Sequence, residues 1–341
     1  MDPHLPFFRR PLSRLPLNLD SIRLLQERTS LVIVGVMKYR ALGSSGPQVS
    51  AIGMGCMPLS VRRDRPDERE AIGVIHHAVD CGITFFDTAD SYCIDDTETG
   101  HNEQVIGKAL RELAPSVREK IVVATKGGLI RPEGRWDRDG RPESLRKAVE
   151  ASLKRLGVER IDLYQHHRID PEVPLEDSLG VIAACRDEGK IAHVGVSNYG
   201  VDEIKRGTRI CPITSVQNQF SPDHRQPERP VGEADPSLDP NTAGTLQFTD
   251  EHGLAFLPWC PLGGMGGAKQ WAEPNNPLAE FSRELGASAY QLVLGWHLAK
   301  GSHVIPIPGA SRASSVEDSA KAADLELSGE VLAKLEAMLS L

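Results

Sequence analysis

A single (β/α)8 barrel is the fold class this sequence predicts, and three observations predict it. From Tyr39 onward, short β-rich runs alternate with longer amphipathic stretches that carry helix signals. The β-rich runs are eight in number, the count that closes a parallel sheet into a barrel. The alternative, an open doubly wound sheet, lacks its phosphate fingerprint. Gly263-Gly264-Met265-Gly266-Gly267 does not fit G-x-G-x-x-G and follows a Trp-Cys-Pro-Leu turn.

The first 36 residues contain four prolines and no sustained period. They read as a disordered extension, with a small docking segment as the alternative, ahead of a single catalytic domain over 37–341. Strands are expected at 49–54, 83–86, 121–124, 161–164, 193–196, 214–216, 254–258 and 303–307. Helices are expected near 67–80, 102–113, 143–156, 175–188, 200–208, 276–300 and 314–339. Pro142-Glu143 and Pro174-Leu175 mark helix starts, because proline in the first turn gives up only an N–H that has no intrahelical partner. Gly157 and Gly189 mark helix stops. A proline-rich stretch over 221–240 reads as a flexible insertion.

Bulk composition allows an enzyme and excludes several other classes. Of 341 residues, 40% are apolar and 25% charged, as in ordinary globular proteins. A formal charge of −8 argues against a nucleic-acid surface or an anionic membrane surface. No stretch approaches the roughly 20 apolar residues of a membrane span. The six cysteines are dispersed, with no Cys-x-x-Cys, so neither a disulfide scaffold nor a zinc or other metal site is expected. Dispersed thiols read as a reducing, cytoplasmic setting.

Chemistry enters at the strand ends, where barrels keep their sites. Ile83-Thr84-Phe85-Phe86 ends abruptly in Asp87, and Tyr92 follows five residues later. Lys126 falls after the third strand and His167 after the fourth. Each alone has an ordinary explanation: a helix cap, a rim aromatic, a solvated lysine, a core histidine. Together, on successive strands, they fit one task. Hydride attack on a carbonyl carbon builds charge on oxygen, which a proton donor within hydrogen-bond reach must meet. Tyr92 would be that donor, provided a cation lowers its pKa from about 10 towards neutrality. Lys126 would be the cation, Asp87 would hold Lys126, and His167 would orient the carbonyl oxygen.

These residues sit in longer runs that resemble a known family. Tyr39-Arg40-Ala41-Leu42-Gly43 through Cys56-Met57 is similar to an opening hairpin and first strand. Phe86-Asp87-Thr88-Ala89-Asp90-Ser91-Tyr92, Thr125-Lys126-Gly127-Gly128 and Ile161-Asp162-Leu163-Tyr164-Gln165-His166-His167-Arg168 follow in the matching order. From Tyr39 to Ser340 the chain resembles the aldo-keto reductases. The resemblance implies a (β/α)8 barrel, a small-molecule carbonyl substrate and a catalytic set of Asp87, Tyr92, Lys126 and His167. His166 takes a position usually filled by an apolar residue, so which imidazole faces the substrate stays open between the neighbours.

The resemblance also implies a nicotinamide dinucleotide, NADPH in preference to NADH. Gly55, Cys56 and Met57, with Asp87, would border it. Ser197, Asn198 and Gln217 would hold the carboxamide, and Trp259 would stack on the ring in place of the family's usual tyrosine. Cys260, Pro261, Leu262 and Gly264 would follow the pyrophosphate. Pro308, Gly309, Ser311 and Arg312 precede a helix whose N-terminus suits a 2′-phosphate. Asp318-Ser319 stands where an adenine-contacting Asn is common, an acid that weighs against the phosphate. The loop after the seventh strand is short, which implies quick cofactor exchange. Residues 93–99 and 131–141, with Trp136, would rim the pocket. Two other classes compete: a redox-sensing barrel with vestigial turnover, and an unrelated barrel hydrolase or lyase. The complete set of four argues against the first, and the absence of a metal cluster or carboxylate pair against the second.

Overall fold

The computed structural model describes residues 32–33, 37–235 and 240–340. Apart from Val32–Ile33, the segment expected to be a disordered extension lies outside the described residues. Val32–Ile33 pairs antiparallel with Leu325–Glu326.

Among the described residues, seven strands form one parallel sheet in strict chain order. They are β1 (Met54–Gly55), β2 (Phe85–Asp87), β3 (Val122–Gly127), β4 (Ile161–His166), β5 (Ile191–Ser197), β6 (Ser215–Gln217) and β7 (Ala255–Phe256). The eighth expected strand closes the ring through residues 303–310. Its Ile305 N–H donates to Phe256 O at 2.9 Å, while Gly53 and Gly55 donate to Pro306 O and Pro308 O, each at 3.0 Å. Prolines 306 and 308 keep their acceptors but have no N–H to return to β1. Closure is therefore made by single bridges and not by a full ladder.

The helices that cover the sheet begin and end on local chemistry. Helix α1 (Glu68–Asp80) starts with a reciprocal capping box between Asp67 and Glu70. Next come α2 (His101–Arg111) and α3 (Pro142–Leu156), the latter stopped by Gly157 at φ 71°. Helices α4 (Leu175–Asp187) and α5 (Val201–Thr208) follow. The stretch expected as one helix over 276–300 is two, α7 (Pro277–Leu285) and α8 (Ala289–Ala299). Gly286 at φ 68° ends the first and the Ser288–Gln291 capping box starts the second. Likewise 314–339 divides into α9 (Ala313–Lys321) and α10 (Gly329–Leu339), with the short strand 325–326 between them. Helix α6 (Thr245–Glu251) was not expected from the pattern.

The run 49–54 does not form one strand. Gln48–Ser50 pairs with Tyr39–Ala41 as a hairpin, and the chain bends before β1. At Gly53 the chain passes hard against Phe85, where a Cβ would lie 2.7 Å from Phe85 Cδ1. The hairpin buries Leu42 and Val49 against Phe85, Ala124, Leu163 and Leu257 inside the barrel. It stoppers the end opposite the strand C-termini. Part of the expected flexible insertion is packed instead: Gln226 and Pro227 are buried in a 3-10 turn, and residues 236–239 lie outside the described ones.

Two imidazoles, His166 at the end of β4 and His297 in α8, are buried. Burial pushes them from 6.5 down to about 4 and about 3. Both folded values lie below the unfolded one, so the unfolded chain binds more protons once pH falls below 6.5. The two rings' contribution to stability should be fully present above 6.5 and be lost as pH drops towards 4 and then 3. Urea midpoints measured from pH 7 to pH 4 check this. A midpoint that rises on acidification would contradict it.

Candidate active site

Every predicted catalytic side chain arrives from the C-terminal end of a barrel strand. Asp87 ends β2, Lys126 lies near the end of β3, and His167 directly follows β4. The turn after Asp87 brings Tyr92 back over Lys126, with Asp90 N–H donating to Lys126 O at 3.2 Å.

Lys126 is completely buried, and its Nζ has three partners. It donates to Asp87 Oδ2 at 2.7 Å, Thr88 O at 2.9 Å and Tyr92 Oη at 3.1 Å. Asp87 Oδ1 accepts from Gln217 Nε2 at 2.7 Å and from Gln165 Nε2 at 3.3 Å. Strand parity settles the adjacent histidines. Leu163, in the barrel-interior cluster, and Gln165, bonded to Asp87, point inward, and His167 follows the same alternation to the cavity. Tyr164 and His166 point the other way, to the helices, where His166 Nδ1 meets Tyr199 Oη at 2.6 Å. The Tyr92 and His167 rings stand edge to face, 5.8 Å between centroids.

The electrostatics differ from expectation at Tyr92. Lys126 was expected to draw its pKa down. Burial first, and then the Asp87 carboxylate, instead hold the phenol well above the usual tyrosine range. The cation is already compensated, because Asp87 touches it more closely than Tyr92 does. Burial also pulls the Lys126 ammonium down, against the opposing pull of Asp87. Burial, then the Lys126 and Arg168 charges, keep the His167 imidazole well below its ordinary range. These shifts favour the protonated phenol at Tyr92 and the neutral ring at His167.

A cavity of about 610 Å³ opens above this cluster. Asp87, Tyr92 and His167 line it together with Ser197, Asn198, Gln217 and Trp259. So do Gly55 and Met57, the segment Cys260-Pro261-Leu262 with Gly264, and Pro308 with Gly309. Among the predicted residues, Lys126 and Cys56 lie beneath the lining with no exposed surface. Ser311 and Arg312 are also absent from the lining, at the start of α9. Of the two expected rims, residues 93–99 are not in the wall. The hairpin of Leu129–Ile130 and Asp137–Arg138 is, through Leu129, Trp136, Asp137 and Arg138. Arg168, Pro58 and Ala268 also line it and were not foreseen. Arg168 is adjacent to His167 in sequence, and parity alone gave no reason to place it there.

Two non-glycine residues in the left-handed region, Asn198 (φ 60°) and Cys260 (φ 51°), both line this cavity. Such backbone is held only where its surroundings dictate it. The hydroxyl and amides of Ser197, Asn198 and Gln217 suit a carboxamide. The Trp259 indole N–H is buried without a partner among the described residues at the same wall. This donor set fits a planar, amide-bearing ring. Asp318 is turned elsewhere: Ser288 Oγ and Gln291 Nε2 donate to it at 2.8 and 2.7 Å, at the start of α8.

The barrel, its hairpin stopper and a polar cluster at the strand C-termini define a TIM-barrel enzyme site. The chain belongs to the aldo/keto reductase family, whose model matches residues 51–340. It is 37% identical over 307 residues to an uncharacterized oxidoreductase of Schizosaccharomyces pombe, covering 89% of this chain and 88% of that one. It is 34% identical over 322 residues to a probable aldo-keto reductase of Glycine max, covering 86% of each. An aldo-keto reductase of Bacillus halodurans, solved in a holo form, superposes with a TM-score of 0.71 at 27% identity, over 89% of this chain and 96% of that one. The family's chemistry is oxidoreduction at carbonyl and alcohol groups. No helix among the described residues is long and apolar enough to cross a membrane.

Lys126→Met removes the cation and leaves the Asp87 carboxylate buried. It should lower the unfolding free energy by about 3–5 kcal/mol, the range for a broken buried pair. Urea denaturation at pH 7 reads it, and an unchanged midpoint would show that the pair adds no net stability.

Proposed function

We propose that the protein is an NADPH-dependent aldo-keto reductase that converts aldehydes and ketones to alcohols, with Tyr92 as the general acid. One observation carries the reading. A phenol faces the cavity, bonded at 3.1 Å to a fully buried lysine that is itself held by an aspartate.

Each residue then has a task. A reduced nicotinamide, when bound, would supply the hydride that the carbonyl carbon receives. Tyr92 would give its proton to the carbonyl oxygen as charge builds there, and that oxygen stays on its carbon as the hydroxyl of the alcohol. The phenolate left on Tyr92 is met by the Lys126 ammonium at the existing contact. Asp87 keeps Lys126 charged and aimed, at 2.7 Å. His167, neutral, donates a hydrogen bond to the carbonyl oxygen and fixes its direction. Ser197, Asn198 and Gln217 would hold the carboxamide and Trp259 the ring face, while the 260–264 backbone would follow the pyrophosphate. Residues 37–341 would form the whole catalytic domain.

Arg312 supports the preference for a 2′-phosphate. It is exposed at the N-terminus of α9, with no acidic partner among the described residues. Asp318, the acid that weighed against this preference, is engaged by Ser288 and Gln291.

Purified protein should oxidise NADPH in the presence of a reactive aromatic aldehyde. Tyr92→Phe should reduce kcat by about 100-fold or more, the scale of a lost general acid, while still binding NADPH. Near-normal kcat in Tyr92→Phe would remove the assignment. Arg312→Ala should raise KM for NADPH about tenfold and leave KM for NADH nearly unchanged. An equal effect on both cofactors would show that Arg312 does not read the phosphate.

A further inference from the structure

Two buried rings that the reduction step does not use meet behind the wall that carries Asn198. His166 and Tyr199 both have zero exposure, and their rings stand at 80° with centroids 6.0 Å apart. Their polar contact, His166 Nδ1 to Tyr199 Oη, is 2.6 Å long, with no solvent to compete for it.

Tyr199 directly follows the left-handed Asn198, so whatever fixes Tyr199 fixes that turn. Asn198 N–H donates to Gln217 O at 2.9 Å, and its Nδ2 donates to His167 O at 3.1 Å. Asn218 then grips both main-chain groups of Tyr199. Tyr199 N–H donates to Asn218 Oδ1 at 3.1 Å, and Asn218 Nδ2 donates to Tyr199 O at 2.8 Å. Asn218 O also accepts from Trp259 N–H at 3.1 Å, which ties the opposite wall into the same clamp. At the far end of the ring, the Tyr199 hydroxyl has one partner among the described residues, His166.

Packing alone does not call for a histidine at 166. An apolar side chain would sit well among the helix-side residues, and the imidazole leaves its Nε2 buried without a partner among the described residues. Such a group costs stability unless its other nitrogen is needed. The need on view is the Tyr199 hydroxyl.

We propose that His166 and Tyr199 are positioning residues, whose bond holds the Ser197–Asn198 turn in the conformation that receives the carboxamide of a nicotinamide dinucleotide. The identity of that ligand rests on the reductase reading; the bond and the turn do not. The pair acts on binding, because neither ring reaches the cavity that Tyr92 and His167 share.

Tyr199→Phe keeps the ring and removes only the hydroxyl. Two measurements are made on it beside wild type. Amide hydrogen exchange is followed at 197–199 in the free protein, and NADPH affinity by quenching of tryptophan fluorescence. Exchange at 197–199 should quicken, and Kd for NADPH should rise about tenfold, the scale of one buried hydrogen bond. kcat at saturating NADPH should stay within about twofold, since the reacting groups are untouched. His166→Leu should reproduce these shifts, and the double variant should add nothing further, because a single shared bond is lost.

Unchanged exchange at 197–199 in Tyr199→Phe overturns the proposal, whatever wild type does with NADPH. Faster exchange with unaltered Kd, in a protein that binds NADPH, also overturns it. A fall in kcat with unaltered Kd does so as well, since the effect would then lie on the chemistry. Wild type that fails to bind NADPH, together with faster exchange in Tyr199→Phe, counts against the reductase reading alone and supports the positioning of the turn.

Discussion

A lysine and an aspartate buried against each other at the mouth of the barrel are the constraint on which the rest of the site depends. Taking two charges out of water is costly, and their attraction compensates only when the remaining donors and acceptors are satisfied as well. Here they are. The second oxygen of Asp87 accepts from Gln165 and Gln217, and the other protons of Lys126 go to Thr88 O and Tyr92 Oη. The pair therefore draws β2, β3, β4 and β6 together across the barrel at their C-terminal ends. It also sets the position of Tyr92, whose hydroxyl has no other side-chain hydrogen bond among the described residues.

The same pair bears on why the phenol stays protonated. A lone buried cation beside Tyr92 would favour the phenolate. A cation already matched by Asp87 leaves burial to dominate, and burial favours the neutral form. In the proposed reaction the proton would then be present before substrate arrives, and the ammonium would act when negative charge develops on the phenol. The barrel's two ends divide the labour. The hairpin fills one end with Leu42 and Val49, and the cluster around Lys126 occupies the other.

Much of this was legible in the sequence because it follows from short-range rules. The alternation of runs gave eight strands, prolines and glycines marked helix ends, and Asp87, Tyr92, Lys126 and His167 fell at successive strand ends. What escaped needed three dimensions. The apolar run 49–54 serves a hairpin and a barrel strand in turn, and period alone cannot divide it. Helix α6 is short and follows a proline-rich stretch that masked it. Asp318 looked like an acid near a phosphate site, yet its carboxylate is taken up by the start of α8. The rim over 131–141 was foreseen, but Leu129 reaches the cavity only through a hairpin that no spacing announced. The sign of the Tyr92 shift depended first on how deeply the fold buries the phenol and then on the Asp87 carboxylate beside it, neither of which spacing reveals.

The protonation of Tyr92 is the central point, and it can be read directly. The protein is labelled with 13C at tyrosine Cζ and titrated by NMR, with Tyr92→Phe used to assign the resonance and Asp87→Asn as the comparison. In wild type the Tyr92 phenol should remain protonated beyond about pH 10, the ordinary tyrosine value. In Asp87→Asn, with Lys126 no longer matched, it should ionise at lower pH than in wild type. A wild-type phenol that ionises below about pH 10, or one indifferent to Asp87, would contradict the role given to the ion pair.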